Sequence, residues 1–146
     1  MSTSKKVVVV TGASQGIGAE VVKAFRKLGY RVVATARSIR PSDDANILTV
    51  AGDIGDPATA HRVISEGVAR FGQIDTLVNN AGIYIGKPFT EHTAEDFAAV
   101  VNVNMAGFYY VTQLARTLAW RCNFSITRGE RQHAVQAERA MRCSRR

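Results

Sequence analysis

Lys6-Val7-Val8-Val9-Val10-Thr11 runs directly into Gly12-Ala13-Ser14-Gln15-Gly16-Ile17-Gly18, and the reading of this junction decides the fold. Four consecutive valines suit a strand covered on both faces, because a strand with one wet face alternates apolar and polar residues. The glycines that follow open a stretch of helical period from Gly16 to Leu28. A helix start presents unpaired backbone N–H groups and the positive end of the helix dipole, which together favour an anion such as a pyrophosphate. In that reading Gly12 permits the tight turn, Gly16 lets a phosphate approach the backbone, and Gly18 lets the helix sit close to the sheet. An ordinary strand-to-helix turn is the alternative, and the placement of the strand and helix favours the phosphate reading over it.

Further along, short β-branched runs at Arg31–Thr35, Ile47–Val50 and Thr76–Asn79 read as three more strands. Helical periods run over Pro57–Phe71 and from about Ala94 to Ala119. Asp56-Pro57 supplies an acidic cap with proline at the first helical position, and Thr93 with Asp96 supplies another cap. Gly29 and Gly72 stand where helices end. The order strand–helix–strand–strand–helix–strand–helix predicts an α/β fold, a Rossmann-type doubly wound parallel sheet. One connection is irregular: Ser38–Asn46 is short and polar where a crossover helix is usual.

The chain has 146 residues and a net charge of +7, but that charge is unevenly spread. Residues 1–120 hold 12 Lys and Arg against 10 Asp and Glu, whereas residues 121–146 hold 7 Arg, no Lys and 2 Glu. The body is nearly neutral and the tail is basic. The segment 120–146 has no strand-length apolar run, and Glu130–Met141 offers at most a polar helix with a thin apolar stripe. The division expected is therefore a domain over 1–119, incomplete after about four strands, and an irregular or partly helical tail over 120–146. The short polar N-terminus lacks an export core, and no apolar run is long enough to span a bilayer, so a cytoplasmic protein without membrane contact is expected. Cys122 and Cys143 suggest no disulfide framework, and His61, His92 and His133 share no metal-ligand spacing.

The spacing Thr11-Gly12-x-x-x-Gly16-x-Gly18 resembles the short-chain dehydrogenase/reductase family. Asn79-Asn80-Ala81-Gly82 at the end of the fourth strand, Gly52-Asp53-Ile54 after the third, and Val103-Asn104-Met105-Ala106-Gly107 within the long helix match further segments of that family in order. The resemblance covers about residues 5–118. It implies that Gly12, Ser14, Gln15, Gly16, Ile17, Gly18, Arg37, Ser38, Asp53, Ile54, Asn80, Ala81 and Gly82 bind a dinucleotide. It also implies that Asn104 is a catalytic residue ordering a water or carbonyl. Each position has a plainer alternative. Asn79 and Asn80 can cap a strand end, Asp53 can serve a turn beside Gly52, and Asn104 can be a buried amide bonded to a carbonyl.

The cofactor expected is NADP rather than NAD. A carboxylate for a free ribose 2′-hydroxyl would stand at the end of the second strand, where this chain has Ala36 followed by Arg37 and Ser38. Removing an acid and adding a guanidinium suits a 2′-phosphate. Gln15 adds no basic group to that argument.

The resemblance also implies a Ser on a fifth strand and a Tyr-x-x-x-Lys pair, in which Lys lowers the pKa of a Tyr that is otherwise a poor base at neutral pH. Tyr30, Tyr84, Tyr109 and Tyr110 are followed four residues later by Ala34, Pro88, Gln113 and Leu114, and no Lys follows Lys87. Asn123-Phe124-Ser125-Ile126 is only faintly similar to the family's strand ending, with no apolar strand before it. Three readings of the whole chain follow. One is an NADP-dependent oxidoreductase acting on an alcohol or carbonyl substrate, whose frame ends or shifts near Trp120, leaving this chain inactive and the fourth strand as an open edge. Another is a non-catalytic nucleotide-binding module whose tail docks on a partner. The weakest gives the tail a nucleic-acid role, since its arginines are scattered and Phe124 is its one aromatic residue after Trp120; no nucleic-acid partner is therefore expected. A homo-oligomer remains compatible with the long helix.

Overall fold

The computed structural model describes residues 5–118 and the backbone of 125–127. The four expected strands are β1 (Val7–Thr11), β2 (Arg31–Ala36), β3 (Ile47–Ala51) and β4 (Thr76–Asn79). They form one parallel sheet in the order β3-β2-β1-β4, and a three-residue β5 (Ser125–Thr127) pairs outside β4. The edge that the sequence leaves open thus carries a short strand, with Leu77 opposite Ser125 and Asn79 opposite Thr127. The expected Glu130–Met141 helix, Cys122, Cys143 and His133 lie outside the described residues.

The valine run explains why the sheet is covered twice. Val7 and Val9 face one layer, where they pack with Val63 and Ile64 of α2 (Pro57–Phe71) and Val111 and Ala115 of α4 (Gly107–Leu118). Val8 and Val10 face the other, against Val21, Val22 and Phe25 of α1 (Gly16–Lys27). All four valines are fully buried. Because successive strand residues point to opposite faces, an unbroken apolar run can fill both layers at once.

The helix ends follow the expected chemistry. Asp56 accepts a hydrogen bond from the Ala58 amide, and Gly29 and Gly72 take left-handed conformations. Thr93 and Asp96 form a reciprocal capping box at the start of α3 (Ala94–Val101). The long helix is not continuous as expected from the sequence. A π-turn at Asn102–Ala106 joins α3 to α4, with the Gly107 amide donating to the Asn102 carbonyl five residues back. A 3₁₀ turn at Phe89–Glu91 precedes it. Outside the sheet-facing side, Phe97, Val101, Met105 and Tyr109 stand exposed at four-residue intervals. Among the described residues no helix is long and apolar enough to cross a membrane.

The helix-free connection between β2 and β3 is held by polar contacts instead. About ten extended residues reach further than a five-residue strand is long, so no helix is needed to return the chain. Ile39 packs on the α1 side of the sheet. Arg26 Nε of α1 donates to Asp44 Oδ2 at 2.7 Å, while Asp44 Oδ1 accepts from the Asn46 backbone amide at 2.8 Å. The Asn46 amide bond, reinforced by Arg26, holds the Asp44 carboxyl down to about 2. A carboxylate depressed in the folded state stabilises it above the unfolded value of about 4, and that contribution disappears as pH falls through the folded value. Asp44→Asn should therefore lower the melting temperature at neutral pH, with the gap to the parent closing between about pH 4 and about pH 2. Thermal melts across that range would contradict this if the gap stayed constant.

Candidate functional site

At the C-terminal ends of β1 and β4 the two strands are tied together through side chains. The Thr11 hydroxyl accepts from the backbone amides of Asn80 and Ala81, each at 3.0 Å. In return the Asn80 side-chain amide donates to the carbonyls of Thr11 and Gly12, each at 3.2 Å. The space left is so small that glycine is required nearby. A Cβ on Gly12, which has φ of +66°, would fall 2.9 Å from the Ala81 Cα, and one on Gly18 would fall 2.7 Å from the Asn80 amide nitrogen and collide with the Gly12 carbonyl. Gly16 differs: at φ of +55° a Cβ there would meet nothing within 4 Å. Its backbone borders open space at the start of α1, where Gln15 makes no side-chain cap.

That open space is a cavity of about 550 Å³. It lies where the strand order reverses between β1 and β4, the place where open α/β sheets take ligands. Gly12, Ser14, Gln15, Gly16 and Ile17 line it from the glycine turn, Arg37 and Ser38 from the end of β2, Asp53 and Ile54 from the end of β3, and Asn80, Ala81 and Gly82 from the end of β4. Of the residues expected to bind a cofactor, only Gly18 is not in the wall. It is buried behind the turn, and its part is the close approach of helix and strand. Asp53 uses one carboxylate oxygen to accept from the Gly55 amide at 2.9 Å, which fixes the turn at its own base. Asn80, expected to cap a strand end or to meet a ligand, has its amide nitrogen spent on the turn.

A second cavity of about 510 Å³ adjoins the first and shares Ile54, Ala81, Gly82, Ile83 and Val103 with it. Asn104 stands in its wall. Its Oδ1 accepts from the Ile83 amide at 2.8 Å and its Nδ2 donates to the Ile83 carbonyl at 3.0 Å. Asn104 is exposed, so it is not the buried amide of the plainer alternative, though it does bond a carbonyl. Asn79 is buried and donates to the Thr112 hydroxyl at 3.0 Å, tying α4 to the sheet.

The family model for short chain dehydrogenases matches residues 6–121. The chain belongs to this family. Among the short-chain dehydrogenases, it is 37% identical over 119 residues to L-fucose dehydrogenase of Mus musculus, covering 77% of this chain and 43% of that protein. The structure of a glucose/ribitol dehydrogenase from Brucella melitensis superposes with a TM-score of 0.73 at 29% identity, over 80% of this chain and 54% of that one. A 3-ketoacyl-(acyl-carrier-protein) reductase from the same organism, complexed with NADH, gives 0.66 at 32% identity, over 76% and 49%. The chain spans about half the length of the relatives it matches. Among the described residues no cluster of acidic, His or Cys side chains could hold a metal.

Sequence reasoning left several wall residues unassigned, among them Thr11, Thr35, Gly52, Ile83 and Val103. Thr11 and Thr35 carry a polar hydroxyl in an otherwise apolar strand, which was the available signal. Their circumstances are opposite. The Thr11 hydroxyl satisfies two backbone amides, whereas the Thr35 hydroxyl is buried with no hydrogen-bond partner among the described residues. The same substitution should therefore act in opposite directions. Thr11→Val strands two partly buried amides and should cost about 2 kcal/mol or more, while Thr35→Val should be neutral or stabilise by about 1 kcal/mol. Urea unfolding of both variants checks this, and equal losses would refute it.

Proposed function

We propose that this chain binds NADP(H) in the groove formed by the two adjoining cavities, as the cofactor-binding portion of an oxidoreductase acting on an alcohol or carbonyl. The observation that carries the reading is the convergence of the glycine turn and the ends of β2, β3 and β4 on one cavity. Cavities of a few hundred Å³ suit cofactor-sized ligands. The fit is specific at Gly16, where the absent Cβ leaves the α1 N-terminus open to the groove. In this reading the first amides of α1 hold the pyrophosphate, and Arg37 and Ser38 take the 2′-phosphate. Asp53 and Ile54 border the adenine, and the Ala81-Gly82 backbone borders the nicotinamide end. Asn104 fixes Ile83 beside that end. A bound nicotinamide supplies the hydride donor or acceptor; the residues named here bind and orient it.

The preference for NADP rests on Arg37 and Ser38 beside Ala36, with no acid at the end of β2. A relative complexed with NADH marks the alternative. Arg37→Ala should weaken NADPH binding roughly tenfold or more, the worth of a charge-assisted phosphate contact, and leave NADH unchanged. Titration calorimetry with both nucleotides decides it, and equal affinity of the parent for NADH and NADPH would remove the preference.

Turnover needs a proton donor to the substrate oxygen, and no Tyr in this sequence has Lys four residues on. We therefore infer binding without turnover for this 146-residue chain by itself. The alternative, a nucleotide-binding module with a partner-binding tail, makes the same binding prediction. The coding DNA separates the two, since a shifted frame would encode Tyr-x-x-x-Lys in another frame past codon 120 and an evolved module would not. The exposed row at Phe97, Val101, Met105 and Tyr109 supports self-association through the long helix. Met105→Glu should then lower the mass measured by light scattering, and a parent chain that is already monomeric rules this out.

A further inference from the structure

The π-turn reaches the groove through Val103 and Asn104, and its contacts with the neighbouring loops are of two kinds. At its borders it meets the β3–α2 loop through two glycines. A Cβ on Gly55 of that loop would fall 2.8 Å from the Asn102 side-chain carbon, and one on Gly107 would fall 2.7 Å from Ile54 Cγ2 and 3.2 Å from the Ile54 carbonyl oxygen. Each glycine thus leaves the room that a side chain of the other element fills, Asn102 against Gly55 and Ile54 against Gly107. At its middle, Asn104 holds both the amide and the carbonyl of Ile83 after β4. Val103, on the same turn, lines both cavities, and so does Ile54.

We propose that Gly55 and Gly107 are positioning residues whose contacts, relayed by the π-turn and Asn104, set the adenine-side loop and the Ile83 loop as one unit. This rests on the cofactor reading above. A helix with regular spacing would place residues 102–107 differently relative to both loops, because the extra residue of a π-turn rotates one helical segment against the other. Packed elements shift as bodies rather than flex, so a displacement forced at Ile54 is passed to Ile83. Among the described residues, Asn104 grips the second loop through both of its side-chain hydrogen bonds, to the Ile83 amide and carbonyl.

The test uses the 146-residue chain with two probes. Adenosine 2′,5′-bisphosphate reports on the adenine end by calorimetry, and the fluorescence enhancement of bound NADPH reports on the nicotinamide end. Asn104→Ala removes the grip without adding bulk. It should weaken adenosine 2′,5′-bisphosphate by about fivefold although it lies on the other loop, a coupling of ordinary allosteric size. Gly107→Ala should weaken the same probe and also abolish the NADPH fluorescence enhancement at saturation. Unchanged affinity of Asn104→Ala for adenosine 2′,5′-bisphosphate, with its melting temperature retained, overturns the coupling. If Gly107→Ala fails to fold, Gly55→Ser and Asn104→Ala carry the same comparison. A parent chain that binds neither probe overturns the cofactor reading itself, which is a different outcome from a parent that binds while its variants match it.

Discussion

Thr11 ends the central strand, and its hydroxyl is the point on which the site is hung. Two strands that are adjacent in the sheet are separated by more than sixty residues of chain, and their pairing by backbone ladder stops at Val10 and Val78. Beyond that point the chains part, one toward α1 and the other toward the long helix. The hydroxyl spans the gap by accepting two amides from Asn80 and Ala81, and the Asn80 amide answers by donating to the Thr11 and Gly12 carbonyls. That reciprocal knot leaves no room for a Cβ at Gly12 or Gly18, so the composition of the glycine turn follows from the knot as much as from any ligand. Gly16 stands apart: its left-handed backbone favours glycine, and the space beside it is open.

This distinction shows what a sequence can disclose. The strands, α1 and α2 were legible because their causes are local: valine runs, an Asp-Pro cap, and glycines with positive φ at helix ends. The groove was legible because each strand end carried one recognisable segment, and parallel strands bring their C-terminal ends to the same edge. Roles were less legible than positions. Gly18 has the helix-to-sheet packing role its place in the turn suggested, whereas Asn80 lines the groove yet spends its amide nitrogen on the turn. Thr11 and Thr35 look alike on paper and differ entirely in hydrogen bonding.

The π-turn had no local signal at all. Asn102-Val103-Asn104-Met105-Ala106 has a helical pattern, and nothing in its propensities asks for an extra residue per turn. Its cause is tertiary: Asn104 reaches a loop that follows β4, and Gly107 admits Ile54 from a loop that follows β3. Long-range contacts of this kind override local preference. The same reasoning covers β5, whose three residues pair with β4 although the sequence around them has no apolar run.

The helix-free link between β2 and β3 leaves the sheet unevenly upholstered. On the α1 side the outer strand is covered by a loop rather than by a second helix, and β3 is less buried than its neighbours along most of its length. Backbone amides of such an edge open to solvent through small excursions that the central strands do not share, so exchange with deuterated water should be fastest there. Arg37, Ser38 and Asp53 all flank this margin. Under the proposed cofactor reading, discrimination between nucleotides would rest on this less-buried margin, and a ligand bridging the ends of β2 and β3 would also stiffen it. On that reading, ligand binding and the fluctuations of the outer strand would be two views of one equilibrium.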